Sequence, residues 1–397
     1  MKSSQIRWVF CSIFVLVILG CQKEDIVKSR TNRTIIVYMI ADNNLDPFAI
    51  DNINQMEMGW NDDFDGNLIV YLDRAEGASI AHPVVYKIVH DTTQNIKSQI
   101  IAVYPEQNSA DPLVMNNTLS SIIKDYPAQS YGLILWSHGS AWFPKGTELN
   151  ADSTKLKARI HTITKSFGKD GLDEMSITDL SNSLPLKFQF IIFDACYMGS
   201  IEVLYELRNK SDYIISSSTE ILSSGYPYTD IMPLLFQQTI NYSNLANTFY
   251  QSYEKHDGVM KSASVSVANT NNLHNLAQSV SMIMEDTPNL KLADYNYIQQ
   301  FTLTDNKYLF DLKDFVYSIS RNDKLLENFS RNLNNVIVFK ASTKKMMDEL
   351  GISSFSGLSV FIPNPNKNNL YEFYEKLEWF SDSKYDLYFS KFRYNYK

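Results

Sequence analysis

Phe190-Ile191-Ile192-Phe193-Asp194-Ala195-Cys196-Tyr197-Met198-Gly199 is an apolar run, rich in β-branched residues, that climbs to a carboxylate, reaches a cysteine and breaks at a glycine. Beyond it, Ser200 to Leu207 has the apolar spacing of a short helix. The pattern predicts a buried parallel strand that delivers Cys196 to its C-terminal end, the edge where open α/β sheets place their ligands. Tyr131-Gly132-Leu133-Ile134-Leu135-Trp136-Ser137-His138-Gly139-Ser140 has the same form and ends at a histidine. Two strands ending in Cys and His supply the pair needed for thiolate nucleophilic catalysis.

Outward from this pair the chain alternates strands and helices. Thr34 to Ile40 reads as a first core strand and Asn67 to Leu72 as a second, with a helix opening at Asp46-Pro47 between them. Val84–Val89 and Lys97–Val103 read as a hairpin-like excursion at the sheet edge. A helix from Asp111-Pro112 to about Lys124 leads to the His138 strand, Ser176–Leu184 is helical, and Asp212–Ser218 is a further strand. Helices are expected over Leu245–Tyr253, Asn271–Met284, Lys307–Tyr317 and Leu325–Val338, with strands over Ala263–Ala268 and Gly357–Pro363. This alternation predicts a mostly parallel sheet flanked by helices on both faces, with a C-terminal α/β extension. The stretch from Trp142 to Lys169 breaks the pattern and is rich in basic residues, and irregular segments of that length inside a domain are usually functional or disordered.

Composition narrows the function classes. With 397 residues, 44% of them hydrophobic, the chain can bury a large core, made aromatic by 24 Tyr and 22 Phe. A net charge of −8 and the lack of a Lys/Arg stripe exclude nucleic acid as the expected partner. The N-terminus reads as an export signal over 1–20: Lys2 and Arg7 precede a short apolar run, and Gly20 then meets Cys21. Ile18-Leu19-Gly20-Cys21 resembles the lipobox of bacterial lipoproteins, which implies lipidation at Cys21 and membrane attachment through that lipid. Gln22-Lys23-Glu24-Asp25 opens a polar tether over 21–33 and resembles the lysine-plus-acidic signal that sends some bacterial lipoproteins to the cell surface. The expected location is the outer membrane, facing either the cell surface or the periplasm. Cys196 is then the one thiol of the mature chain, with no disulfide partner. The alternative for an isolated cysteine is burial as an inert apolar residue.

Leu135-Trp136-Ser137-His138-Gly139, taken with Phe193-Asp194-Ala195-Cys196-Tyr197-Met198-Gly199 and Glu202-Val203, resembles the clostripain family of cysteine peptidases. Ser216–Glu220 and Gly225-Tyr226-Pro227-Tyr228 resemble the segment that follows its nucleophile, and the likeness covers residues 34 to about 235. The resemblance implies a caspase-like fold, a His138–Cys196 dyad, protein or peptide substrates, and activation by cleavage in the 142–169 loop. Physically, the N–H groups of Gly139 and Cys196 are placed to hold an oxyanion. The family commonly prefers Arg or Lys before the scissile bond. Asp194 matches one acid of that pocket and Glu220 is the candidate second, although Pro227 stands where some basic-specific relatives carry an acid. Two alternatives stay open: Asp194 as a cap on the following helix, and Glu220 as a solvated loop acid. His82, His90, His161, His256 and His274 lack metal-ligand spacing, so no metal or required cofactor is expected; calcium, bound by some relatives, is the one ion kept in view, with Asp62-Asp63-Phe64-Asp65-Gly66 a faint loop for it. A monomer is expected, with a catalytic domain over 34–240 and a C-terminal α/β region over 241–397 packed on it. The rival reading is a catalytically silent surface scaffold that binds a glycan or protein through its Tyr-rich C-terminal residues.

Overall fold

The computed structural model describes residues 30–395 apart from 76, 79–81, 145–146, 148–165, 304–306 and 364–369. The signal segment, Cys21, tether residues 21–29 and the basic residues Lys145, Lys155, Lys157, Arg159 and Lys165 lie outside the described residues. In chain order the strands are β1 Thr31–Ala41, β2 Gly66–Arg74, β3 Val84–Lys87, β4 Gln99–Val103, β5 Ala128–Trp136, β6 Phe167–Asp170, β7 Asp173–Met175, β8 Phe188–Asp194, β9 Ser211–Ser216 and β10 Ser264–Asn269. They continue with β11 Leu309–Asp311, β12 Ile337–Ser342, β13 Lys345–Met346, β14 Leu350–Gly351 and β15 Ser359–Phe361. Nine form one sheet in the order β12-β10-β9-β8-β5-β1-β2-β3-β4. The five central strands β9, β8, β5, β1 and β2 are parallel, and the two at each edge are joined on by antiparallel pairing.

Each central strand is apolar along nearly its whole length because both of its faces are covered. Along β1, Ile36, Tyr38 and Ile40 face one core and Ile35, Val37 and Met39 the other, every one of them fully buried. The helices Asp46–Gly59, Tyr228–Leu235 and Tyr242–Glu254 cover the second face; Pro112–Asp125, Ile201–Glu206, Leu273–Glu285 and the C-terminal helices cover the first. Residues beyond 240 add two strands to the main sheet, since β10 pairs with β9 and β12 with β10.

Three sequence expectations are corrected. Residues 31–33 belong to β1 rather than to a tether, because Arg33 is buried and its guanidinium donates to the carbonyls of Leu235 at 2.8 Å and Gln237 at 2.9 Å. The segment expected to be one helix from Lys307 splits into β11 and the helix Leu312–Ile319, with Asp311 as N-cap accepting from the Lys313 and Asp314 N–H groups. The helix expected to reach Val338 ends at Val336, and Ile337–Ser342 is an edge strand whose alternate side chains are solvent-facing.

Candidate functional site

β5 and β8 are adjacent and parallel, with Trp136 opposite Asp194. His138 and Cys196 each stand two residues further on, so the dyad candidates leave the sheet at matched positions on neighbouring strands. The Ser137 N–H donates to the Asp194 carbonyl at 3.3 Å and carries the pairing one step past the strands. The close approach requires glycine at 139: a Cβ there would lie 2.6 Å from the Cys196 carbonyl oxygen and 3.0 Å from both Ala195 Cβ and Met198 Sδ. Among the described residues, neither the Gly139 nor the Cys196 N–H donates to another residue. The Cys196 N–H faces its own sulfur.

The turn that carries Cys196 is held from behind. Tyr197 takes a left-handed conformation, φ 63°, which bends the chain sharply after Cys196. Its N–H donates to the Thr219 carbonyl at 2.9 Å, and the Gly199 N–H to the Ser217 carbonyl at 2.7 Å. Ser200, not Asp194, caps the next helix, its side chain accepting from the Val203 N–H. Asp194 instead points at the 225–228 turn, where its Oδ2 accepts from the Tyr226 N–H at 3.1 Å and the Tyr228 hydroxyl at 2.8 Å. Gly225 has φ +66°, and a Cβ on it would come within 2.5 Å of that oxygen. Burial pushes the Asp194 carboxyl up to about 6. Its Oδ1 accepts no hydrogen bond from the described residues, so one oxygen is anchored and the other unclaimed.

The His138 ring is buried, and its Nε2 lies 2.9 Å from Asn44 Oδ1. The amide oxygen is an acceptor, so Nε2 carries the proton and Nδ1 of the neutral ring is left as the acceptor. Asn44 comes from the turn after β1, nearly a hundred positions earlier in the chain, and no local sequence pattern marks it for this contact. The β6–β7 hairpin backs the same turn: the Gly168 N–H donates to the His138 carbonyl at 3.0 Å and the Lys169 N–H to Ser137 Oγ at 3.1 Å. Burial, with the Lys169 charge adding to it, drives the imidazole down to about 3.

The Cys196 thiol departs from the lowered pKa expected beside an imidazole. Burial first, then the Glu220 charge, push it up to about 12, outweighing the Ile221 N–H that reaches its sulfur at 3.3 Å. Both shifts favour the uncharged forms, and the thiol donates to the Ile221 carbonyl at 3.7 Å. Glu220, on the loop after β9, is half-buried and accepts from the Tyr197 hydroxyl at 2.9 Å, which ties that loop to the turn carrying Cys196.

The profile of the clostripain family matches residues 37–393, nine-tenths of the chain. This chain belongs to the clostripain family. The curated clostripain of Hathewaya histolytica is 27% identical over 231 residues, a match spanning 51% of this chain and 43% of that protein. The chain thus matches less than half the length of that curated relative. Among solved structures, a secreted C11 cysteine protease from Bacteroides thetaiotaomicron, in complex with an irreversible peptide inhibitor, superposes with a TM-score of 0.76 at 27% identity, covering 89% of this chain and 99% of that one. An inactive zymogen C11 protease from Parabacteroides distasonis gives 0.74 at 29% identity, over 90% and 99%. The fold is the caspase-like α/β fold of these clostripain-family proteins.

Among the described residues no group of three or more His, Cys, Asp or Glu side chains is arranged to hold a metal ion. In the run considered for calcium, Asp62 accepts from the Trp60 indole at 3.0 Å and Asp65 from the Asn32 N–H at 3.2 Å. Among the described residues no helix is long and apolar enough to cross a membrane.

Proposed function

We propose that this clostripain-family chain is a cysteine endopeptidase in which Cys196 is the nucleophile and His138 the acid–base partner. The observation that carries the reading is the matched placement of the two residues on neighbouring parallel strands, with Gly139 pressed against the Cys196 carbonyl. Cys196 Sγ attacks the peptide carbonyl carbon, and the oxygen gains its charge between the Gly139 and Cys196 N–H groups. Because both side chains are neutral at rest, the thiol proton moves to Nδ1 as the sulfur attacks, and the imidazolium then gives it to the leaving amine. Separating charge only when the oxyanion forms avoids holding a desolvated ion pair in the empty site. The Asn44 bond holds the ring by Nε2, leaves Nδ1 as its basic nitrogen and disperses the transient positive charge.

Asp194 is the expected floor of the pocket for the residue before the scissile bond, through its unclaimed Oδ1, with Glu220 the second acid. This supports a preference for Arg or Lys, whose cation needs more than one acceptor to offset its desolvation. Cleavage within 142–169 is the proposed activation step, and a lipid on Cys21 the proposed anchor holding the enzyme at the outer membrane, facing outward. Protein from residue 22 onward, assayed on fluorogenic peptides scanned at P1 beside Cys196→Ala, tests the reading. Cys196-dependent turnover of Arg or Lys peptides supports both parts. Turnover restricted to other residues keeps the dyad and removes the acidic pocket. No Cys196-dependent cleavage, before or after trypsin nicking and with calcium added, favours the binding scaffold.

A further inference from the structure

Glu202, on the helix that follows the nucleophile, is fully buried and has no part in the reaction above. Its Oε1 accepts from the Phe361 N–H at 2.8 Å and the Tyr374 hydroxyl at 2.9 Å, while Oε2 is buried without a hydrogen-bond partner. Both donors belong to the C-terminal region. The same strand, β15, reaches the nucleophile turn directly: the Ser359 N–H donates to the Gly199 carbonyl at 3.0 Å, and Ser359 bridges Ser200 in parallel.

The other side of β15 meets the turn that leaves His138. The Phe361 ring lies 5.1 Å from Trp142 and 6.0 Å from Phe143, and the Tyr374 ring lies 4.7 Å from Trp142. Trp142 and Phe143 are buried and follow Ala141, which takes a left-handed φ of 57°. One short strand thus touches both catalytic turns. A buried carboxylate is costly where an apolar side chain would fill the same space. What Glu202 adds is direction: two donors from a distant segment must meet one oxygen, which fixes how that segment sits. The Trp142 indole N–H, a buried donor without an acceptor, belongs to the same assembly.

We propose that β15 and Glu202 form a clamp that sets the spacing of the His138 and Cys196 turns, with Glu202 and Phe361 as positioning residues. What the clamp serves rests on the dyad reading; its existence does not. The test is amide hydrogen exchange over 140–143 and 197–200, iodoacetamide alkylation of Cys196, and peptide hydrolysis, on the wild type, Glu202→Ala and Glu202→Gln. Glu202→Ala should speed exchange in both turns by about tenfold, the factor carried by one buried hydrogen bond, and change the alkylation rate comparably. It should lower kcat with KM unchanged. Glu202→Gln keeps the accepting oxygen and should restore all three. If Glu202→Ala does not fold, Tyr374→Phe, which removes one donor and keeps the ring, should show the same changes, smaller. Exchange in the two turns that stays at the wild-type rate while the melting temperature falls would overturn the clamp and leave Glu202 a stability anchor. Wild-type protein that cleaves no peptide overturns the peptidase reading alone, because the exchange rates still decide the clamp.

Discussion

Replacing Gly139 by Ala adds one methyl group at the point where the His138 and Cys196 turns touch. Its nearest neighbour is a backbone oxygen, Cys196 O at 2.6 Å, so no flexible side chain can step aside. Ordinary contact begins at 3.4 Å, so the turns must part by about 0.8 Å. Overpacking of this kind costs about 1–3 kcal/mol of stability. A displacement approaching 1 Å at a reacting centre costs roughly 100-fold in rate. The alanine N–H is retained, so a loss of rate reports displacement of the donor and the thiol rather than removal of either. The assay is kcat and KM on the best P1 peptide, beside thermal melts monitored by circular dichroism. The expectation is a kcat about 100-fold lower, little change in KM, and protein folded at assay temperature. A Gly139→Ala enzyme within about twofold of wild-type kcat would refute the claim that this contact sets the geometry of attack.

Other outcomes follow from the same contacts. Asn44→Ala should lower kcat by about tenfold to 100-fold and leave KM little changed, since it frees the ring without touching the pocket; steady-state kinetics decide it. Asp194→Asn should selectively lower kcat/KM for Arg and Lys peptides in the P1 scan, and an unchanged profile would place P1 recognition elsewhere. For pH, the Glu202 carboxyl is raised to about 7 from 4.5 in the folded protein, so its contribution is complete below 4.5 and is lost as pH rises through 7. That amounts to at most about 3 kcal/mol, and Glu202→Gln should flatten urea-denaturation stability across this window. His138 acts oppositely: its folded pKa of about 3 makes stability fall as pH drops below 6.5, a loss His138→Ala should lessen. In Triton X-114 partition of the expressed full-length protein, Cys21→Ala should move the chain from the detergent to the aqueous phase.

The central sheet was legible because its five parallel strands are covered on both faces and read as unbroken apolar runs. Cys196 and His138 were legible for the same reason, as chemistry-bearing residues at the ends of two such runs. Shorter, half-exposed elements were not. Ile337–Ser342 follows a helix without a turn residue between them, and its alternation was absorbed into that helix. Phe167–Asp170 and Asp173–Met175 are polar and Gly-interrupted, with no apolar run to mark them, although their hairpin backs the His138 turn. The role of Asn44 depends on a contact across 94 positions, and the orientation of Asp194 on a turn more than thirty residues ahead. The direction of the thiol pKa required burial and the place of Glu220, which no spacing encodes.

The most direct test is covalent. Wild type, Cys196→Ala and His138→Ala would each be treated with peptidyl acyloxymethyl ketones carrying Lys, Arg or other residues at P1, digested, and mapped by mass spectrometry. The account predicts a single adduct on Cys196, formed fastest with Lys or Arg, absent from Cys196→Ala and strongly slowed in His138→Ala. An adduct that forms as fast in His138→Ala, or no Cys196 adduct with any reagent after loop nicking, would contradict the dyad.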